Sequence, residues 1–201
     1  MKWIVITSPD FLSGEASSIG LLLQNGVDSV HVRKPFSDKI DVQKLLEEIP
    51  SKFHRAIVLH DHFELCDRYG LQGIHLNSRN HDIPQDFKGS LSCSCHSLEE
   101  VGKWKDKMDY VFLSPIFNSI SKQGYKGAFS FDLLRKAQQQ KMIDEKVVAL
   151  GGVTYSAIPW LRSFSFGGAA FLGDVWNHMQ ADDFPGLEKY FQEGRRIMGK
   201  S

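Results

Sequence analysis

Residues 109–127 read DYVFLSPIFNSISKQGYKG. Tyr110, Val111, Phe112 and Leu113 form a short apolar run, which predicts a strand buried on both faces. Ser114 and Pro115 end it, and the chain opens into a loop with two hydroxyls (Ser119, Ser121), one ammonium (Lys122) and two glycines (Gly124, Gly127). Hydroxyl and ammonium donors meet phosphate oxygens, and glycine lets backbone N–H groups approach them. An ordinary solvated loop has a similar composition, so the surrounding chain must decide. Downstream, Ser130 is placed to cap a helix that carries Leu133, Leu134 and Ala137 towards the core. The next apolar run is 147–150. Strand, loop, helix and strand in that order make a parallel unit.

The same alternation extends to both ends of the chain. Strands are predicted at 3–7, 29–32, 56–60, 73–76, 91–94, 110–113, 147–150 and 169–172. Several are apolar throughout, as strands covered by helices outside and by other strands inside should be. Ser97 with Glu100 reads as a capping box before Leu98, Val101 and Trp104. After Pro185, Leu187, Tyr190, Phe191 and Ile197 recur at helical spacing. Around Ile83-Pro84-Gln85 there is room for no more than a turn of helix. Eight βα units without a linker, low-complexity tract or tandem repeat predict an α/β chain, a (β/α)₈ TIM barrel forming one domain over 1–201. A doubly wound open sheet is the alternative, and the glycine fingerprint it needs after its first strand is missing.

Composition narrows the partners. The chain has 201 residues, with 24 basic and 24 acidic side chains and a formal charge of zero. No basic tract invites nucleic acid, and no apolar stretch is long enough to span a bilayer. The opening MKWIVITSPDF has too short an apolar run for a signal peptide, so a soluble, cytoplasmic protein is expected. Cys66, Cys93 and Cys95 make a poor disulfide set and read as reduced, packed thiols.

In a parallel barrel the residues just past each strand converge on one mouth. Here they are His31, Arg33 and Lys34; His60, Asp61 and His62; His75, Asn77 and Asn80; Ser94 and His96; Ser119, Ser121 and Lys122; Gly151 and Gly152; Gly173 and Asp174. Cations, hydroxyls, a carboxylate and glycine turns describe a pocket for a phosphorylated small molecule with a divalent metal. Arg33-Lys34 also reads as an exposed charged pair, and His75 between Ile74 and Leu76 as a hydrogen-bonded structural histidine. His60 and His62 on one strand face would suit zinc, but no second ligand pair is evident. Magnesium at Asp61, with phosphate oxygens completing the shell, fits better.

HVRK at 31–34, LHDH at 59–62, GIHL at 73–76, SCSCHS at 92–97, DYVFLSPIFNSISK at 109–122 and ALGGV at 149–153 together resemble the thiamine phosphate synthase and thiazole tautomerase superfamily. The resemblance covers nearly the whole chain. It implies a barrel that joins an aminopyrimidine diphosphate to a thiazole phosphate and releases diphosphate. On the same footing Arg33 and Lys122 would hold diphosphate, with Ser94 a hydrogen-bond partner and Asp61 on Mg²⁺. Asn80 falls where a second metal carboxylate is usual. Lys34 would have to reach the diphosphate, because the usual lysine position is Pro35. Ser119 and Ser121 would touch the thiazole phosphate, with Gly152 and the Leu172–Gly173 backbone helping. His31 and His60 stand on the substrate side where the synthase usually carries amides. Two alternatives remain open: a metal-free thiazole tautomerase using His31, His60 or His96, and a barrel that binds a thiamine-related ligand without turning it over. Small phosphorylated substrates and a second copy of the chain, in a homodimer, are the expected partners.

Overall fold

The computed structural model describes residues 1–117, 129–179 and 184–200. Eight parallel strands close into a barrel in chain order: β1 (Lys2–Ile6), β2 (Ser29–Val32), β3 (Ile57–Leu59), β4 (Gly73–Leu76), β5 (Ser90–Cys95), β6 (Tyr110–Leu113), β7 (Val147–Ala149) and β8 (Gly168–Phe171). The last pairs with the first, Trp3 opposite Ala169. Every expected strand is present, with no end differing by more than one residue. Around them lie α1 (Glu15–Gln24), α2 (Lys39–Glu48), α3 (Leu65–Tyr69), α4 (Leu98–Trp104), α5 (Phe131–Gln139), α6 (Ile158–Ser163), α7 (Gly173–Met179) and α8 (Phe184–Met198). No helix links β4 to β5, as that short, proline-bearing connection requires. Among the described residues no helix is long and apolar enough to cross a membrane.

Strand alternation divides the core in two. Outward residues such as Trp3, Val5, Val30, Val32, Leu59, Val111, Leu113 and Phe171 form a continuous layer with the helices. That layer also holds the three cysteines, all free and buried. Inward residues form a smaller cluster of Ile4, Ile6, Tyr110, Phe112, Val148 and Ala170, drawn from β1, β6, β7 and β8. The other half of the lumen is polar: His31 on β2, His75 on β4 and Ser92 on β5 are fully or almost fully buried. Half of this barrel is lined with hydrogen-bonding groups rather than packed hydrocarbon.

The expected helix caps are present. Ser97 Oγ accepts from Glu100 N at 3.1 Å and Ser130 Oγ from Leu133 N at 3.2 Å. The Glu100 carboxylate reaches back to His96 N at 2.6 Å. One helix face differs from expectation. Leu134 and Ala137 are buried, but Leu133 is 41% exposed, because the core-facing stripe of α5 is too narrow for both adjacent leucines.

Candidate active site at the barrel mouth

The C-terminal ends of β2, β3 and β4 bring Arg33, His60, Asp61, Asn77, Arg79 and Asn80 together. Asp61, 8% exposed, sits at their centre. Its Oδ2 accepts from the Lys34 backbone N–H at 3.3 Å. Its Oδ1 accepts from an Arg79 N–H at 3.1 Å and from the Asn80 amide at 2.9 Å. The loop is pre-set for this. Asn77 Oδ1 accepts from the backbone N–H groups of Arg79 and Asn80, at 3.0 and 3.3 Å. The Asn77 amide in turn donates to the carbonyl of His60 at 2.8 Å. An asparagine folding the following turn onto its own side chain is a common local device. Here it aims Arg79 at Asp61.

Arg33 lies just past β2, held through its backbone N–H to Thr7 Oγ1 at 2.9 Å. Its guanidinium makes no hydrogen bond or ion pair among the described residues. The charges of Arg33 and Arg79 both help to depress the pKa of His60, after burial and the other two histidines. Both guanidiniums therefore act on the same ring. With Asp61 offsetting one of two positive charges, this part of the mouth is a cationic surface with spare N–H donors.

Beneath it runs a chain of hydrogen bonds through the polar half of the lumen. Tyr110 Oη meets His31 Nε2 at 2.7 Å, and His31 Nδ1 meets His60 Nε2 at 2.9 Å. His75 lies between Ser92 Oγ at 2.8 Å and Ser94 Oγ at 2.9 Å, and stacks on His60 with centroids 4.2 Å apart. Burial is the main cause holding all three imidazoles neutral, His75 down to about 3 and the others well below their ordinary value. The Tyr110–His31–His60 chain has two self-consistent tautomeric states. If Tyr110 donates, His31 Nδ1–H donates to His60; if His60 Nε2–H donates, every proton in the chain shifts the other way.

The opposite side of the mouth, at the ends of β6, β7 and β8, encloses a cavity of about 690 Å³ lined in part by Pro115, Phe117, Gly151, Gly152, Leu172 and Gly173. Gly151 and Gly152 both have positive φ, 95° and 62°. A Cβ on Gly151 would also fall 2.8 Å from Pro115 Cα, so this turn requires glycine. Asp174, which would repel a phosphate here, is turned to Tyr190 on α8 and accepts its hydroxyl at 2.8 Å.

Several expectations need correction. Lys34 is sealed away from the mouth: its side chain is 0% exposed and its Nζ contacts both Glu15 carboxylate oxygens at 2.7 Å. The same ammonium also donates to the carbonyls of Ser8 at 3.0 Å and Asp10 at 2.8 Å. It pins the β1–α1 loop and has no donor left for a ligand. His31, 0% exposed, lies beneath the mouth and reaches it only through His60. Asn80 turns its NH₂ towards Asp61, a donor where a metal needs an oxygen. His62 is beyond the end of β3, has φ of 55° and hydrogen-bonds Ser37 O at 2.8 Å, so it shares no strand face with His60. A different trio, His31, His60 and His75, brings ring nitrogens within 4.8 Å of one another, but only His60 Nδ1 among their nitrogens lacks a protein partner in the described residues. Ser119, Ser121 and Lys122 lie outside the described residues. Arg79, Glu15 and Tyr110 are the site residues that sequence reasoning missed. The only signal for Arg79 was a cation next to an amide standing where a carboxylate is usual.

The thiamine monophosphate synthase family model matches residues 4–175. This chain belongs to that family. A crystal structure of thiamine phosphate pyrophosphorylase from Bacteroides thetaiotaomicron is 40% identical, with a TM-score of 0.89, covering 99% of this chain and 98% of that one. The thiamine-phosphate synthase of Caldicellulosiruptor saccharolyticus is 24% identical over 161 residues, 74% of this chain and 71% of its own length. That of Photorhabdus laumondii is 22% identical over 190 residues, 90% of this chain and 88% of its own. The family is one of thiamine-biosynthesis transferases, and the closed eight-strand barrel observed here is the fold its resemblance implied.

Proposed function

We propose that this chain joins a hydroxymethylpyrimidine diphosphate to a thiazole phosphate, giving thiamine phosphate and diphosphate. The carrying observation is the cationic corner made by Arg33 and Arg79 beside His60, across the mouth from the glycine-walled cavity. The chemistry needs two subsites of this kind. The bond between the pyrimidinylmethyl carbon and the diphosphate oxygen breaks, its electron pair leaving with diphosphate. The thiazole nitrogen then supplies its lone pair to the cationic carbon. No proton needs to move, so the demand on the protein is to hold the leaving anion and to align the two rings. Arg33 and Lys122 are read as diphosphate ligands and Ser94 as a hydrogen-bond partner. Ser119, Ser121, Gly152 and Gly173 are read as belonging to the thiazole phosphate side. The partners are read as small phosphorylated molecules, and the three free, buried cysteines suit the reducing cytoplasm.

Magnesium is the cofactor expected for this activity, and the donor set at Asp61 does not fit it. A hard divalent ion wants several oxygen ligands and little competing positive charge. Asp61 instead faces a guanidinium, an amide NH₂ and a backbone N–H.

Purified protein given both substrates should form thiamine phosphate, and Lys122→Ala should reduce kcat/KM by about two orders of magnitude. Absence of product from folded protein at high concentration would end this reading. A second reading rests on the Tyr110–His31–His60 chain, which the transferase scheme does not use: a proton shift within the thiazole ring. Thiazole phosphate incubated alone in D₂O would then exchange a ring-adjacent proton, and His60→Gln would stop it.

A further inference from the structure

We propose that Arg79 takes the place of a divalent cation beside Asp61, so that Arg33 and Arg79 bind the diphosphate group without metal. This rests on the reading of the mouth as a diphosphate site and goes beyond it, because it changes what neutralises the leaving group. Three observations carry it.

The first is occupancy of the carboxylate. Asp61 Oδ1 is taken by Arg79 at 3.1 Å and Asn80 at 2.9 Å, and Oδ2 by a backbone N–H at 3.3 Å. A divalent ion bound there would stand within a few ångströms of the guanidinium charge. The second is the second ligand position. Asn80 donates to both the His60 carbonyl and Asp61, so its amide nitrogen is fixed between two acceptors. A neutral side chain that stabilises the carboxylate by donation has replaced one that would have added negative charge for an ion.

The third is that Arg79 has capacity to spare. One NH₂ group binds Asp61, while its Nε–H is enclosed without an acceptor among the described residues. Its side chain is 28% exposed, and the ring of Phe36, itself 95% exposed, flanks the guanidinium at 5.9 Å. Asp61 is thus an orienting anchor: it holds the guanidinium as a planar, permanently charged fork of the kind that grips phosphate oxygens. Arg33, just past the end of β2 and with no side-chain partner among the described residues, adds a second cation at the same mouth for an incoming diphosphate. When the carbon–oxygen bond breaks, the extra negative charge on diphosphate meets these two guanidiniums.

The test is calorimetric titration of the full-length protein with inorganic pyrophosphate, in EDTA and again in MgCl₂. Binding in EDTA within about threefold of that in MgCl₂ is expected. Arg79→Ala should weaken binding in EDTA by at least tenfold and should make it respond to Mg²⁺, because Asp61 is then uncovered. Arg79→Lys, which keeps the charge and protects folding, should retain binding in EDTA within tenfold. Wild-type protein should leave the spectrum of free Mn²⁺ unchanged in electron paramagnetic resonance when no pyrophosphate is present. Pyrophosphate binding that appears only with Mg²⁺, or Arg79→Ala binding as wild type does in EDTA, would overturn the proposal. Thiamine phosphate formed only after Mg²⁺ is added would sink it while sparing the transferase reading. Pyrophosphate bound in EDTA by a protein that forms no product would support it and sink that reading instead.

Discussion

Arg33 and Lys34 are neighbours with opposite fates, and the difference comes from which side of β2 each leaves. Arg33 ends at the mouth with no guanidinium partner among the described residues, and its charge acts on the His60 ring. Lys34 turns into the wall and is enclosed by Glu15 and two carbonyls. A sequence shows two adjacent cations and cannot show that one has a partner 19 residues upstream. Arg33→Ala should therefore lower kcat/KM for the diphosphate substrate by about 10²-fold and leave the thermal midpoint nearly unchanged. A large drop in that midpoint would make Arg33 a structural residue. Asn80 misleads in the other direction: its amide looks like a poor metal ligand, and nothing in the sequence marks the cation next to it, Arg79, as the partner of Asp61.

Single elements depend on contacts that their own sequence only half reveals. The Lys34–Glu15 pair ties the end of β2 to the start of α1. Burial works against both charges, raising the Glu15 pKa and lowering that of Lys34, while each opposes the shift in the other. Losing one partner leaves a buried, uncompensated charge. Lys34→Met should cost about 3–5 kcal/mol in urea unfolding, and adding Glu15→Leu should recover most of it. Equal and additive losses would mean that the two side chains do not act as a pair. At α4 the expected box is present, and Ser97→Ala should cost about 1 kcal/mol by the same measurement. The strands were legible because runs of β-branched and apolar residues recur between turn signals. Their alternation also separates lumen from outer layer, as Ile4 and Ile6 against Trp3 and Val5 illustrate. Helix faces were less legible: Leu133 and Leu134 differ by about 100° around the axis, and only packing decides which is buried.

At the scale of the whole molecule, the half-polar lumen links stability to pH. His31, His60 and His75 are neutral when folded, with His75 lowered to about 3 and the other two held well below their ordinary value by burial. In the unfolded chain all three take up protons near a pH of about 6.5. Below that value the unfolded state binds more protons, so stability falls as pH falls, by about 1.4 kcal/mol per pH unit for each histidine. For His75 this continues down to about pH 3. Urea unfolding from neutral pH down into the mildly acidic range should show the decline, and His75→Gln should make it shallower by about one histidine's share. A flat profile would mean that the lumen accepts protons in place. The barrel itself could be read from strand count and order, and the mouth from the residues just past each strand. The lumen network could not, because His31, His75 and Tyr110 come from three strands and become neighbours only when the sheet closes.

The proposed function rests on diphosphate binding at the ends of β2, β3 and β4. It is tested most directly by a crystal structure of the protein soaked with pyrophosphate in the presence of EDTA. Pyrophosphate within hydrogen-bonding reach of both Arg33 and Arg79, with Asp61 still paired to Arg79, is the expected result. Pyrophosphate bound elsewhere on the molecule, or seen at Asp61 only when a metal ion has displaced Arg79, would contradict it.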